Sequence, residues 1–96
     1  MSESSCSVDN NTAQGVVRAP GPLGLHARPA AKISQAAQNF SSAIVMCAEG
    51  NTVDAKSILD ILSLSAAPGT SITIQATGPD AEDAVRHLTE LISTGS

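Results

Sequence analysis

The sequence has little aromatic character, little cysteine and little positive charge, and each shortage narrows what the protein can be. Of 96 residues only Phe40 is aromatic, and Trp and Tyr are missing. The core must therefore rest on Ala, Val, Ile and Leu. Cys6 and Cys47 are the only cysteines, too few for a secreted disulfide scaffold. Cys47 stands in the apolar run Ala43–Ala48 and reads as a small buried hydrophobe; Cys6, in a polar tail, reads as a free solvated thiol. No charged-then-apolar segment precedes Cys6, and no stretch approaches the length of a membrane span. A cytoplasmic protein without membrane insertion is expected. Five Lys and Arg face nine Asp and Glu, for a net charge of −4. With no basic block and no aromatic ladder, nucleic acid is not an expected partner. His26, His87 and the cysteines lack metal-ligand spacing, so neither a metal nor another cofactor is expected. Gly21 and Gly24 are not followed by the Gly-Lys-Ser/Thr of a Walker loop.

The length accommodates one domain. Residues 1–12 are polar and aperiodic and read as a disordered leader; residues 13–96 carry the domain. A first strand is expected over 13–19. It cannot continue through Pro20-Gly21-Pro22-Leu23-Gly24, where two prolines lack ladder donors and two glycines permit unusual backbone angles. From Ala27, the apolar positions Ala30, Ile33, Ala37 and Phe40 recur at helical spacing. Ala43–Ala48, a turn at Glu49-Gly50-Asn51 and a brief strand through Val53 suggest a hairpin. Ser57, with Asp60 three residues on, is a plausible helix N-cap, and Ile58, Ile61 and Leu62 supply an inner face. Ile61 and Leu64 suit core packing, whereas Leu59 and Leu62 suit exposure. Ile72, Ile74 and Ala76 alternate with Thr73, Gln75 and Thr77 as a half-buried strand. After Gly78-Pro79, the acids Asp80, Glu82 and Asp83 suit the positive start of a last helix. That helix has its apolar face in Ala81, Ala84, Val85, Leu88, Leu91 and Ile92, with His87 facing solvent. The order βαββαβα describes a two-layer α+β domain with helices on one side of a mainly antiparallel sheet.

The chemistry concentrates in Gly24-Leu25-His26-Ala27-Arg28-Pro29-Ala30. A proline is well placed in the first turn of a helix, where backbone N–H groups have no intrahelical partner. Those free N–H groups and the positive end of the helix dipole form a ready anion site. A neutral imidazole there is a good nucleophile toward phosphorus near physiological pH, and its product is a reactive phosphoramidate. Transfer needs little beyond in-line positioning and charge neutralisation. Arg28, a cation placed against the helix dipole, makes sense where an anion visits, and a guanidinium can clamp phosphoryl oxygens.

This run resembles the active-site loop of the HPr family, the phosphohistidine carriers of bacterial phosphotransferase systems. Val53-Asp54-Ala55-Lys56-Ser57-Ile58-Leu59 resembles the family's second motif, and the segment from Gly69-Thr70 to Gly78-Pro79-Asp80-Ala81 also fits. The likeness runs from about Gln14 to Ile92. It implies an open-faced β-sandwich, a four-stranded antiparallel sheet covered on one face by three helices. It also implies that His26 is phosphorylated on Nδ1 and Arg28 clamps the phosphoryl group. The expected donor is an enzyme I-type protein charged by phosphoenolpyruvate, and the expected acceptor a IIA-type protein. The chain would be a stoichiometric carrier rather than an enzyme, and a monomer. Ser57 matches a regulatory phosphorylation site served in some bacteria by a serine kinase and phosphatase, and Ile58, Leu59, Leu62 and Ala27 match the docking patch.

Two positions depart from the family pattern. Asp60 stands where many members have glycine, beside the docking patch, and Leu23 stands where sugar-branch members often have asparagine. Leu-Gly-Leu-His-Ala-Arg-Pro-Ala leans toward the nitrogen-regulatory branch rather than the sugar branch. The alternative to carriage is a regulatory docking module, whose phosphorylation state controls binding to a transcription factor or enzyme.

Overall fold

Strands and helices follow one another in the order β1 (Thr12–Arg18), α1 (Ala27–Gln38), β2 (Ala43–Ala48), β3 (Asn51–Asp54), α2 (Ile58–Leu64), β4 (Ser71–Thr77) and α3 (Ala81–Ser93). The computed structural model describes residues 12–21, 24, 27–64 and 66–94. The four strands form one sheet in the order β1-β4-β2-β3, and every neighbouring pair is antiparallel. With three helices against the sheet, this is the expected open-faced α+β sandwich. Strand β1 starts at Thr12, one residue earlier than the expected domain start. The rest of the expected leader and Cys6 lie outside the described residues.

Alternation sorts the sheet into two faces. Ile72, Ile74 and Ala76 of β4, Ile44 and Met46 of β2, and Val17 of β1 are buried with α1 and α3 side chains. Helix α1 contributes Ala30, Ile33 and Ala37, and α3 contributes Ala81, Ala84, Val85, Leu88 and Ile92. The expected stripes are those found, with Leu91 half-buried at the rim. Phe40 lies beyond the end of α1, packs partly against the core, and meets the exposed His87 ring at a centroid distance of 5.8 Å. The other sheet face carries Val16, 63% exposed, and Cys47. Cys47 is therefore not the buried hydrophobe expected. It occupies an odd position of β2, next to buried Met46 and Ala48, and is half-exposed with Sγ 2.8 Å from Thr52 Oγ1.

Strands β2 and β3 are joined by the two residues Glu49 and Gly50, with φ of 51° and 84°. Two successive positive φ values are what a tight hairpin turn needs to match the twist of its strands. The turn is one residue shorter than expected, since Asn51 already pairs with Ala48.

Helix α2 has only seven residues, and its inner face is Ile61 and Leu64. Ile58, expected to face inward, is 36% exposed, and Leu59 is 75% exposed. Leu62, expected on the inner face by its spacing and at the surface as part of the patch, is half-buried against the core. Two turns of helix anchored by Ile61 and Leu64 direct the first residues outward and leave Leu62 on the boundary. Ser57 is the N-cap: its Oγ accepts the Asp60 N–H at 3.3 Å.

Asp80 does something other than cap α3, to which it makes no side-chain cap bond. Its carboxylate crosses to the start of β2, accepting the Ser41 N–H at 2.9 Å, the Ser42 N–H at 2.9 Å and the Ser42 hydroxyl. The Asp80 N–H in turn donates to Ser42 Oγ at 3.2 Å. The Ser42 hydroxyl, followed by the Ser41 N–H, holds the Asp80 carboxyl below its ordinary pKa. A carboxylate with a depressed folded pKa contributes stability above its unfolded pKa and loses it as pH falls through the folded value. Asp80→Asn is therefore expected to lower the Tm at neutral pH, with a deficit that shrinks as the pH becomes acidic. Thermal melts of the two proteins from neutrality to about pH 2 check this; parallel curves would refute it.

Candidate functional site

The segment between β1 and α1 is held at both ends by backbone contacts. Ala19 donates to the Thr70 carbonyl at 2.8 Å and accepts the Gly69 N–H at 3.0 Å. Arg18 adds a bond from its guanidinium to the Gly69 carbonyl at 3.2 Å. The Gly24 N–H then closes back on the Pro20 carbonyl at 2.7 Å. Gly24 is buried with φ 72°, and a Cβ there would stand 2.3 Å from the Ala66 carbonyl oxygen. Only a glycine meets both demands, a left-handed backbone and contact with another backbone. The loop is thus seated on the segment that follows α2.

His26 immediately precedes Ala27, the first residue of α1; the side chain of His26 lies outside the described residues. Ala27 and Arg28 are exposed, and Pro29 and Ala30 are buried. Proline in this first turn sacrifices no intrahelical bond. The first turn of α1 contains no acidic residue, so nothing of its own offsets the positive end of the dipole. Among the described residues Arg28 has neither an ion pair nor a hydrogen-bond partner.

The second motif is clamped to the opposite end of α1. Lys56 Nζ donates to the Phe40 carbonyl at 2.8 Å, and Gln38 Nε2 donates to the Lys56 carbonyl at 3.1 Å. The last turn of α1 has no basic residue of its own, so Lys56 supplies the cation that suits a helix C-terminus. The Lys56 N–H is turned onto Asp54 Oδ1 at 2.9 Å. Gly24, ahead of α1, touches the chain after α2, and Lys56, ahead of α2, touches the chain after α1. The two helices therefore run antiparallel, with Ser57 at the end away from His26. Sequence reading did not identify Lys56 as a clamp; the missing base in the last turn of α1 was the available signal. Among the described residues no three His, Cys, Asp or Glu side chains converge as metal ligands, and no helix is long and apolar enough to cross a membrane.

The family model for the PTS HPr component phosphorylation site matches residues 14–94, enclosing both motifs. The chain belongs to the HPr family. The HPr phosphocarrier of Cupriavidus necator is 45% identical over 71 residues, which are 74% of this chain and 80% of that protein. The crystal structure of HPr from Bacillus anthracis superposes with a TM-score of 0.81 at 41% identity, over 86% of this chain and 99% of that one. A structure described as an HPr dimer, from Thermoanaerobacter tengcongensis, gives 0.69 at 40% identity, over 81% and 90% of the two chains. HPr proteins are phosphocarriers of the phosphotransferase system, working with enzyme I and IIA-type proteins, and membership implies phosphoryl transfer on a histidine.

In this chain the seating of Gly24 leaves no room for a single added methyl group. Gly24→Ala is expected to destabilise the fold by more than about 1 kcal/mol, because alanine resists positive φ and its Cβ meets the Ala66 carbonyl. Urea unfolding measures the loss. A variant as stable as the parent would show that the loop is not held by this contact.

Proposed function

We propose that His26 accepts a phosphoryl group from an enzyme I-type protein charged by phosphoenolpyruvate and passes it to a IIA-type acceptor. In the first step the bond from phosphorus to the donor breaks as a bond to the imidazole nitrogen forms; the second step reverses those roles. The free imidazole is regenerated, so the chain acts as a stoichiometric carrier, with a single chain as the unit of transfer. The observation that carries the reading is the first turn of α1. His26 precedes it in sequence, it has no acid of its own, and its exposed Arg28 is uncommitted among the described residues. A transferred phosphoryl group needs neutralising partners, and backbone N–H groups with a guanidinium provide them. Ala27, Ile58, Leu59 and Leu62 then form the docking patch, which runs from the site along α2, with Leu59 the most exposed of the three apolar α2 side chains. The domain begins with β1 at Thr12, in a cytoplasmic protein.

Ser57 serves as the α2 cap in any case, a role worth on the order of 1 kcal/mol. As a regulatory site for a serine kinase and phosphatase, it would receive a phosphoryl group beside Asp54 and Asp60. The added charge would deepen an existing negative surface rather than create one. A second reading, a docking module for a transcription factor or enzyme, draws support from the exposure of Ile58 and Leu59. It differs in one respect: the biological output would survive loss of His26.

Intact mass after incubation with phosphoenolpyruvate and enzyme I tests carriage. One acid-labile phosphoryl group is expected on the parent and none on His26→Ala; a His26→Ala protein that still gains the label would sink the assignment. Arg28→Ala is expected to be phosphorylated about a hundredfold more slowly, the usual cost of removing one preorganised donor from developing charge. An unchanged rate in a quench-flow time course would remove Arg28 from the site.

A further inference from the structure

We infer that Asp60 selects the phosphoryl-donor protein, by requiring a cation on the donor surface that covers Leu59; this rests on the carrier reading above. Three features on α2 and its neighbours lead there. Ile58 and Leu59 are two of the three large hydrophobic side chains exposed among the described residues, and they are consecutive at one helix end. Asp60 follows them directly and is exposed. Its Oδ2 lies 3.4 Å from the Asp54 N–H, which turns the carboxylate toward Asp54. Among the described residues neither Asp54 nor Asp60 is ion-paired, and the nearby Lys56 ammonium is committed to the Phe40 carbonyl.

The antiparallel packing of α1 and α2 turns these residues into a charge gradient. Arg28 and Lys32 are exposed on the first half of α1, toward the His26 end. Asp54, the last residue of β3, and Asp60, in the first turn of α2, lie beside the far end of α1. Leu59 is followed directly by the exposed Asp60, so a partner that buries Leu59 brings its own surface against that carboxylate. Covering Asp60 strips it of water, which is unfavourable unless a cation replaces the lost solvation. The complementary surface is an apolar pocket for Leu59, a Lys or Arg opposite Asp60, and an acid opposite Lys32. Such a pattern also fixes orientation, since a donor docked the other way round would oppose like charges.

The experiment is steady-state phosphorylation of the full chain by the enzyme I of its own organism, over a range of salt concentrations, with folding checked by thermal melts. Parent, Asp60→Asn, Asp60→Lys and the distant control Glu82→Gln are compared. Asp60→Asn is expected to raise KM about fivefold, Asp60→Lys more, with kcat and the Glu82→Gln values unchanged. The salt dependence of KM should be shallower for Asp60→Asn than for the parent. Equal or lower KM in Asp60→Asn, with the parent fully active, overturns the inference and leaves the carrier reading intact. A parent that takes no phosphoryl group on His26 overturns both.

Discussion

The structure depends first on how the chain gets from an edge strand into a helix within the few residues between Arg18 and Ala27. Two prolines forbid a continued strand, and a helix that starts at Ala27 must be aimed before it begins. Gly24 supplies the aim. With a positive φ, its N–H on the Pro20 carbonyl and its α-carbon against the Ala66 carbonyl, it fixes the path of the chain without any side chain. Pro29 then sits in the first turn of α1, where its missing N–H breaks no bond. In the carrier reading, a turn fixed by backbone at Gly24 suits the loop on which two different proteins dock in succession.

The helices are attached to the sheet by polar bonds as well as by the aliphatic core. A core with no Trp or Tyr and a single half-buried Phe has small side chains at its contacts, and small side chains specify relative position weakly. Asp80 compensates at one end, joining the start of α3 to the start of β2 through Ser41 and Ser42. Lys56 and Gln38 compensate at another, joining α1 to the turn ahead of α2. Each of these links a helix terminus to a loop distant in sequence, and the bonds of Lys56 and Gln38 couple the second motif to the packing of α1.

This division explains what could be read from the sequence. The strand β4 and the helices α1 and α3 have long, regular periodicity, and their buried faces follow directly from it. Short elements gave less. The six apolar residues of β2 do not show which alternate set points inward, and Cys47 went to the open face. The seven residues of α2 are too few to define a stripe, so Ile58 turned outward and Leu62 came to rest half-buried at the boundary. The contacts of Asp80 and Lys56 were invisible for a different reason: their partners lie 38 and 16 residues away, and a local pattern contains no information on such pairs. The motif around His26 was legible because helix-start chemistry, a proline, a guanidinium and a histidine all fall within seven residues.

The three helices treat their positive ends differently, and the difference bears on how a carrier remains stable without its cargo. Helix α3 has Glu82 and Asp83 in its first turn, and α2 has Asp60 together with the Ser57 cap. Helix α1 has no acid there. An acid in that turn would stabilise the free protein by a few tenths of a kcal/mol to about 1 kcal/mol, but it would also repel an arriving phosphoryl group. Leaving α1 uncompensated forgoes only that modest gain, because exposed N–H groups remain hydrated. The acids are instead placed at the start of α2, beyond Leu59, where they act on a docking protein rather than on the group it delivers. In the carrier reading, one pair of packed helices thus separates attraction of the phosphoryl group from choice of the protein that brings it.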